Sequence, residues 1–430
     1  MYFWCSLNNI FALNFELFIA KRIIVAKQYK SSVSSPIIKI AILAIALGMI
    51  MMLISVATSI GLQQKIREKV AAFNGHIIIS KYDNNNSIVS AKPIKINQDF
   101  YPEFKSVSGV NYIQGVASKV GVIRTEKDFD GIVLKGVGSD YNWHYFKDYL
   151  IAGKIPNVTD QKENSELLIS EYLSKRLGFQ LGSTVVTHFF KADAAKLPNT
   201  RKFKVVGIYS SGFQDFDKNI MLADIRHIQR MNKWSKNKKG DYDEIGSFEV
   251  FLNDFSEIDL KGNEIYQNTD SFLNVSTIKD KYEGIFEWIK MFDFNTYVII
   301  AVMILISVIN MSVMLLVLIL EKTKLIGILK ALGGDNWSIR KIFLYNASYI
   351  VLIGLFWGNL IGLGFLIIQK YFKFFPLDPN NYYVTEVPVY INFWHVLFLN
   401  IGTFMLCFVL LLIPSQIITK ISPVKAIRFD

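Results

Sequence analysis

Side chains able to catalyse a reaction or bind a metal form no known motif in this sequence. The five histidines are scattered without an HExxH pair, so surface or packed positions suit them better than a metal site. No GxSxG nucleophile elbow and no GxxxxGK(S/T) phosphate-binding loop occurs. We therefore expect no catalytic residue, no metal and no cofactor in this chain, and no ATP hydrolysis by it.

Cysteine chemistry is equally sparse. Cys5 and Cys407 are the two cysteines, and both lie outside residues 63–294, which form the predicted extracytoplasmic domain. The sequence therefore predicts neither a disulfide framework nor a cysteine zinc site. A composition of 51% hydrophobic and 19% charged residues is too apolar for an ordinary soluble protein.

Four segments are long and apolar enough to cross a bilayer. A spanning helix needs roughly 20 apolar residues, and four runs without Asp, Glu, Lys or Arg pass that length, at 40–62, 295–320, 342–369 and 387–419. Buried helices of a soluble protein are a poor alternative, because such runs rarely occur four times in one soluble chain. The predicted membrane helices are 38–62, 295–320, 343–369 and 393–418.

The distribution of charge predicts the orientation of these spans. Residues 1–39, 321–341 and 420–430 together hold 13 basic and 4 acidic residues, whereas 63–294 carry a net charge of only +2. Since short basic segments stay in the cytoplasm, we expect both termini and the 321–342 loop inside the cell. Residues 63–294 then form an extracytoplasmic domain, and 370–392 a short loop on the same side. The positive net charge is therefore explained by membrane topology, and it gives no support to nucleic-acid binding.

Residues 1–37 precede the first span. They lack the basic start and small-residue cleavage site of a signal peptide, so none is expected. Residues 14–26 predict an amphipathic helix along the inner membrane face.

The domain at 63–294 is predicted to be α+β. Strand and helix patterns alternate at both of its ends, which suggests one split subdomain at about 63–124 and 241–294. The middle, about 125–240, is predicted to be an insert. The end patterns are strands at 76–80, 112–116, 119–124, 247–252 and 272–277, with helices near 98–107 and 254–267.

The segment 321–341 connects the second and third spans. Leu325, Ile328, Leu329 and Leu332 recur at helical spacing, and two glycines at 333–334 end the pattern. Such a helix either merely links two spans or acts as a lever for a cytoplasmic partner.

Ionisable residues are absent from the interiors of the spans, which disfavours ion-coupled transport. Asn310 and Asn359 are polar residues within the spans, and we expect them to form hydrogen bonds between helices.

The segment EKTKLIGILKALGGDNWSIRK, followed by IFLYNAS, resembles the coupling segment of the FtsX/MacB/LolE superfamily of ABC permeases. Further stretches resemble lipoprotein-releasing permeases of the LolC/LolE type, in the expected order along the chain. They are NFELFIAKRI, LLISEYLSKRLGFQLGSTV, KFKVVGIYSSGFQDFDKNIML and the ending SPVKAIRFD.

The resemblance implies a multi-pass α-helical protein of the bacterial inner membrane, with four transmembrane helices and a large α+β periplasmic domain. That domain has a porter-like part, the split subdomain, and a sabre-like insert. The permease would couple ATP hydrolysis to the release of lipoproteins from the membrane. Its expected partners are a cytoplasmic LolD-like ABC ATPase that binds ATP and Mg, a second permease subunit, a periplasmic LolA-like carrier, lipoproteins and membrane lipids.

The resemblance also implies three sets of functional residues. The ATPase-coupling set is Glu321, Lys322, Lys324, Ile326, Gly327, Leu329, Lys330, Leu332 and Gly333. A hairpin for the carrier, for which a plain surface hairpin is an equal alternative, contains Phe189, Phe190, Leu197, Pro198 and Arg201. A lipid-substrate cavity is lined by Met49, Met52, Leu53, Val56, Ile299, Val302, Met303 and Ile306.

Several alternatives stay open at this point. The same architecture serves efflux or toxin export, or the control of a periplasmic cell-wall hydrolase, and a membrane-anchored binding protein would need no ATPase. The subunit role, LolC-like or LolE-like, and the choice between a homodimer and a heterodimer also stay open.

Overall fold

A computed structural model of the 430-residue chain describes residues 15–25, 34–82, 92–126, 128–159, 163–191 and 197–423. The helices, in chain order, are α1 Phe15–Val25, α2 Ser34–Asn74, α3 His144–Lys147, α4 Glu171–Leu177, α5 Gln214–Asp217, α6 Arg226–Asn232, α7 Ile258–Gln267, α8 Ile278–Lys281, α9 Glu283–Glu321, α10 Thr323–Ala331, α11 Asn336–Phe372, α12 Pro379–Tyr382, α13 Phe393–Leu411 and α14 Ile417–Lys420. Short 3₁₀ helices occupy Phe255–Glu257 and Pro414–Gln416.

The strands, in chain order, are β1 Ile77–Lys81, β2 Ile94–Lys95, β3 Val110–Arg124, β4 Phe129–Val137, β5 Leu150–Gly153, β6 Glu166–Ser170, β7 Thr184–Phe189, β8 Asn199–Tyr209, β9 Ile220–Asp224, β10 Glu244–Ile245, β11 Ser247–Leu252 and β12 Leu273–Thr277. The described residues form two compact units. The membrane unit comprises the described parts of 1–62, 289–375 and 387–430, and the sheet unit those of 63–288 and 376–386.

Four helices of the described chain are long and apolar enough to cross a membrane, which confirms the predicted number of spans. They are Pro36–Asn74, Glu283–Glu321, Asn336–Phe372 and Phe393–Lys420. The first two continue well beyond the predicted apolar spans, into polar sequence of the sheet unit. The fourth is regular to Leu411 and then changes to a 3₁₀ turn at Pro414, whose ring and missing amide hydrogen interrupt helical bonding.

Close packing of α11 against α2 forms the centre of the membrane unit. Gly354, Gly358 and Gly362 recur every fourth residue on one face of α11, and each faces α2. A Cβ added at Gly358 would lie 2.7 Å from the Cβ of Met49, and one at Gly354 would lie 2.7 Å from the Cβ of Ile45. Small residues at this spacing let two membrane helices approach closely, and dispersion contacts then hold them together.

A pair of amides joins α11 to α13. Asn359 Nδ2 donates to Asn400 Oδ1 at 2.6 Å, and Asn400 Nδ2 donates back to Asn359 Oδ1 at 3.0 Å. The helix–helix hydrogen bond predicted for Asn359 is therefore confirmed. For Asn310 the prediction is wrong, because its amide donates to the Ile306 carbonyl of its own helix at 3.0 Å.

The helix predicted at 14–26 is present as α1, Phe15–Val25, which packs along α11. Glu16 Oε1 lies 3.8 Å from Lys341 Nζ. Hydrogen bonds to its own backbone and to Ser338 lower the pKa of Glu16, so that its carboxylate stays charged beside the lysine.

One mixed sheet organises the sheet unit. Its ten strands, within the described residues, follow the order β12-β1-β11-β3-β4-β9-β6-β8-β5, and β7 pairs with both β3 and β8. The long strand β3 pairs with β11 on one side and β4 on the other. The predicted split subdomain and the predicted insert therefore share a single sheet.

Most predicted elements of this unit are present, including strands at β1, β11 and β12 and the helix at α7. The two strands expected at 112–116 and 119–124 are one continuous strand, β3. The helix expected near 98–107 is wrong: turns occupy that stretch. Pro102 explains the difference, because a proline inside a helix removes one hydrogen bond and clashes with the preceding turn.

A buried ion pair fixes the centre of the sheet. Lys135 Nζ on β4 donates to Glu249 Oε1 on β11 at 2.6 Å and to the Phe73 carbonyl at the end of α2 at 2.7 Å. Both side chains are only 5% exposed. Gln114 Nε2 donates to the other Glu249 oxygen at 2.8 Å, so both oxygens of the carboxylate have partners, as a buried charge requires.

Replacing Gly358 with Leu should destabilise the membrane unit, because no side chain fits between α11 and α2 at this point. Overpacking of this kind costs about 1–3 kcal/mol. Gly364→Leu is the matched control on the same helix, since a Cβ there meets nothing within 4 Å. Thermal unfolding of the full chain in detergent compares the two variants, and an equal loss of Tm in both would contradict the packing described here.

Candidate functional site between the second and third spans

The segment between the second and third spans starts with a break in the helix. α9 ends at Glu321, Lys322 leaves helical geometry at φ −98° and ψ 20°, and α10 begins at Thr323. Lys322 Nζ donates to Glu321 Oε1 at 2.7 Å, and the Thr323 hydroxyl donates to the Leu320 carbonyl at 2.7 Å. The Thr323 hydroxyl thus gives a partner to a backbone carbonyl group beside the break.

The apolar residues of α10 lie on two different sides of the helix. Ile326 is fully buried in the core of the membrane unit, and Leu325 and Leu329 pack against that core. Ile328 and Leu332, by contrast, are 49% and 80% exposed. The single apolar stripe predicted from Leu325, Ile328, Leu329 and Leu332 is therefore wrong: one side anchors the helix and the other faces outward.

A tight turn presents the outward side. Gly333 has a φ of +88°, which L side chains rarely adopt, and the Gly334 amide donates to the Leu329 carbonyl at 2.9 Å. Asp335 then caps α11, with its carboxylate accepting a hydrogen bond from the Ser338 amide at 3.2 Å. Residues 331–337 are exposed without interruption and include Trp337.

The predicted coupling set is therefore divided. Glu321, Lys324, Leu332 and Gly333 are exposed, Lys322 is half-buried, and Ile326 and Gly327 are buried. Leu329 and Lys330 are half-buried, and Lys330 is directed towards the carbonyl groups around α14. The predicted set did not include Trp337 or Ile328. Both are exposed on this short connecting segment, and the sequence pattern alone does not show that exposure.

The predicted lipid-substrate cavity needs a correction. Met49, Met52 and Leu53 are buried, because the glycines of α11 draw this side of α2 into the core. Val302 and Ile306 on α9 are 43% and 42% exposed. The other predicted members, Val56, Ile299 and Met303, are half-buried. An exposed apolar face is thus available on α9, whereas most of the cavity residues predicted on α2 are buried.

The glycine spacing GxxxGxxxG of residues 354–362 is the sequence signal for the close packing of α11 against α2.

The predicted carrier hairpin has the expected strand pairing, with β7 antiparallel to β8 and His188 opposite Thr200. Phe189 is fully buried, since Gly121 on β3 leaves room for its ring, so it is wrong as a contact residue. Phe190 and Leu197 are 61% and 85% exposed, Pro198 is exposed, and Arg201 is half-buried. Residues 192–196 lie outside the described residues.

Comparisons with known proteins match both units. Residues 297–423 match the family model of the FtsX-like permease C-terminal region, and residues 40–258 match that of the MacB-like periplasmic core domain. The fold and these matches define the class: a multi-pass α-helical membrane protein with a large α+β periplasmic-type domain. The chain belongs to the FtsX/MacB/LolC family of ABC transporter permeases.

Two curated relatives match over nearly the whole chain, and one solved structure matches over about half of it. The lipoprotein-releasing system transmembrane protein LolC of Xylella fastidiosa is 20% identical, over 91% of this chain and 93% of its own length. LolC of Neisseria meningitidis is 20% identical, over 96% and 99%. The periplasmic region of MacB from Actinobacillus actinomycetemcomitans is a solved structure with 15% identity and a TM-score of 0.31, over 49% of this chain and 92% of that one.

Family membership gives coarse functional statements directly. Permease subunits of ABC transporters are generally non-catalytic, and they work with a cytoplasmic ATPase and as dimers. Within the described residues, the side chains that could hold a metal form no cluster of three or more.

The two sides of α10 should respond differently to the same substitution. Ile326→Asp buries a carboxylate without a partner in the membrane unit, so the chain should fail to fold or insert stably. Leu332→Asp places the same carboxylate on an exposed turn, so insertion and Tm should stay close to those of the wild type. Membrane-fraction yield and thermal unfolding of the full chain measure this contrast, and equal losses in the two variants would refute the assigned sides of α10.

Proposed function

We propose that this chain is the permease subunit of a transporter that releases lipoproteins from the inner membrane to a periplasmic carrier. A separate cytoplasmic ATPase supplies the energy. The observation that carries the proposal is that relatives described as lipoprotein-releasing LolC proteins match over nine-tenths of the chain, across the membrane helices and the large domain alike.

Charge supports the proposed orientation. The short segments before the first span, between the second and third spans and after the fourth are strongly basic, whereas the large domain is nearly neutral. Short basic segments remain in the cytoplasm. Both termini and α10 therefore lie in the cytoplasm in this proposal, and the sheet unit lies in the periplasm.

The exposed turn at 331–337 is the proposed ATPase contact. Leu332 and Trp337 are large apolar side chains exposed on a short polar connection, a combination typical of a protein interface. The ATPase would bind ATP and Mg, since this sequence lacks a phosphate-binding loop. A force that the ATPase exerts on the turn passes into the membrane unit through Ile326, because this side chain is buried in the core of that unit.

The exposed face of α9 is the proposed lipid contact. Val302 and Ile306 belong to an apolar face that also includes Val298, Leu305 and Ile309. The acyl chains of a lipoprotein would lie between this face and a second permease subunit. Removing them from the bilayer costs about 0.8 kcal/mol per CH₂ group, so an external energy source is required.

The β7–β8 hairpin is the proposed contact for the carrier. Phe190 and Leu197 flank the end of the hairpin and are both strongly exposed. Exposed apolar side chains at the end of a paired-strand element suit a periplasmic partner that itself binds acyl chains.

Depletion of this protein should leave outer-membrane lipoproteins in the inner membrane. Wild-type protein should restore their sorting, whereas Leu332→Asp should not, because a charge at the turn weakens the apolar ATPase contact. Leu260→Asp on α7, at an exposed leucine of the sheet unit, is the matched control and should restore sorting. Membrane fractionation of the lipoproteins measures the result. Normal sorting after depletion would exclude lipoprotein release and favour an efflux role.

Leu197→Asp should reduce capture of the carrier by about 5- to 30-fold, because one exposed apolar contact at an interface contributes about 1–2 kcal/mol. Binding of purified carrier to the permease complex in detergent measures this. Leu181→Asp, an exposed leucine outside the hairpin, serves as the control. Equal carrier binding by both variants would leave the β7–β8 pair as a plain surface hairpin.

A further inference from the structure

Two cations from the segment between the second and third spans bind the end of the fourth span. Lys330 Nζ on α10 donates to the carbonyl groups of Ile418 and Ile421, each at 2.8 Å, with the Thr419 carbonyl at 3.4 Å. Arg340, near the start of α11, donates from Nη2 to the Leu412 carbonyl at 2.9 Å and from Nε to the Ser415 hydroxyl at 3.1 Å.

These bonds fit the chemistry of helix ends. The last carbonyl groups of a helix lack intrahelical partners and carry partial negative charge. Lys330 lies among the carbonyl groups around α14, and Arg340 reaches those that follow α13. The contacts named here are uncharged acceptors, and burial lowers the pKa of Lys330. Hydrogen bonds to backbone carbonyl dipoles therefore hold the Lys330 ammonium group, and none of these acceptors is a carboxylate.

Buried residues lie on both sides of the same connection. Ile326 on α10 and Ile418 on α14 are both fully buried and belong to one hydrophobic cluster of the membrane unit. Ser415 is also fully buried, and its hydroxyl donates to the Leu412 carbonyl at 2.8 Å while accepting from Arg340. Lys330 on α10 and Arg340 on α11 thus both bond to the end of the fourth span, within one buried region of the membrane unit.

We propose that Lys330 on α10 and Arg340 near the start of α11 are positioning residues that transmit displacement of the segment between the second and third spans to the end of the fourth span. This inference rests on the proposed role of 331–337 as the ATPase contact. The chain itself already connects α10 to α9 and, through the 332–335 turn, to α11. The two cations add a route to α13 and α14, which are distant from α10 in sequence.

Hydrogen–deuterium exchange tests this route without any transport substrate. The complex of the full chain with its ATPase is reconstituted in lipid nanodiscs, and exchange is measured with and without Mg and a non-hydrolysable ATP analogue. In the wild type, nucleotide should change exchange in peptides that cover 323–334 and in those that cover 412–421.

In Lys330→Met the change at 323–334 should persist, and the change at 412–421 should be lost. Lys330→Arg should keep both changes, because its guanidinium can donate to the same carbonyl groups. Lys420→Met removes an exposed cation from α14 itself and is the matched control, which should also keep both changes. Arg340→Met offers an independent break of the same route and should likewise lose the change at 412–421.

Two results would overturn the inference. One is a wild-type response at 323–334 with none at 412–421, and the other is a response at 412–421 that survives either Lys330→Met or Arg340→Met. Failure of lipoprotein sorting tests would not affect either readout. The exchange experiment therefore separates the mechanical connection from the identity of the transported substrate.

Discussion

The close approach of α2 to α11 is the constraint on which the membrane unit depends. Three glycines at four-residue spacing remove the side chains that would hold these helices apart. In hydrocarbon no hydrophobic effect drives helices together, so close packing, together with hydrogen bonds between helices, makes them associate. The burial of Met49, Met52 and Leu53 follows from this approach.

The same constraint determines which surfaces are available for function. Because α2 is drawn into the core, the exposed apolar surface of the predicted substrate site is carried by α9. Ile326 enters the same core, and its burial turns Ile328 and Leu332 outward. Because its buried side holds α10 to the membrane helices, a force applied to the exposed side of α10 would move those helices with it.

Family membership and local geometry address different levels of function. The two family models cover the membrane helices and the large domain, and they establish an ABC transporter permease. The particular substrate and partners rest on distant relatives at about 20% identity. Residue-level evidence contributes the positions at which the proposed partners would bind: the exposed turn at 331–337, the exposed face of α9, and the side chains of Phe190 and Leu197.

The amino-acid sequence by itself determined the four spans, the helix α1 and most strands of the large domain, because length, charge and periodicity are local properties. Tertiary structure decided which apolar side chains are buried. Leu325 and Leu332 are both leucines and belong to the same periodic pattern. Leu325 nevertheless packs against the core, whereas Leu332 is exposed. It also decided that β3 joins both predicted parts of the domain in one sheet, and that Lys330 meets carbonyl groups almost ninety residues away. Such contacts depend on how distant segments pack, and a pattern within a single segment cannot contain that information.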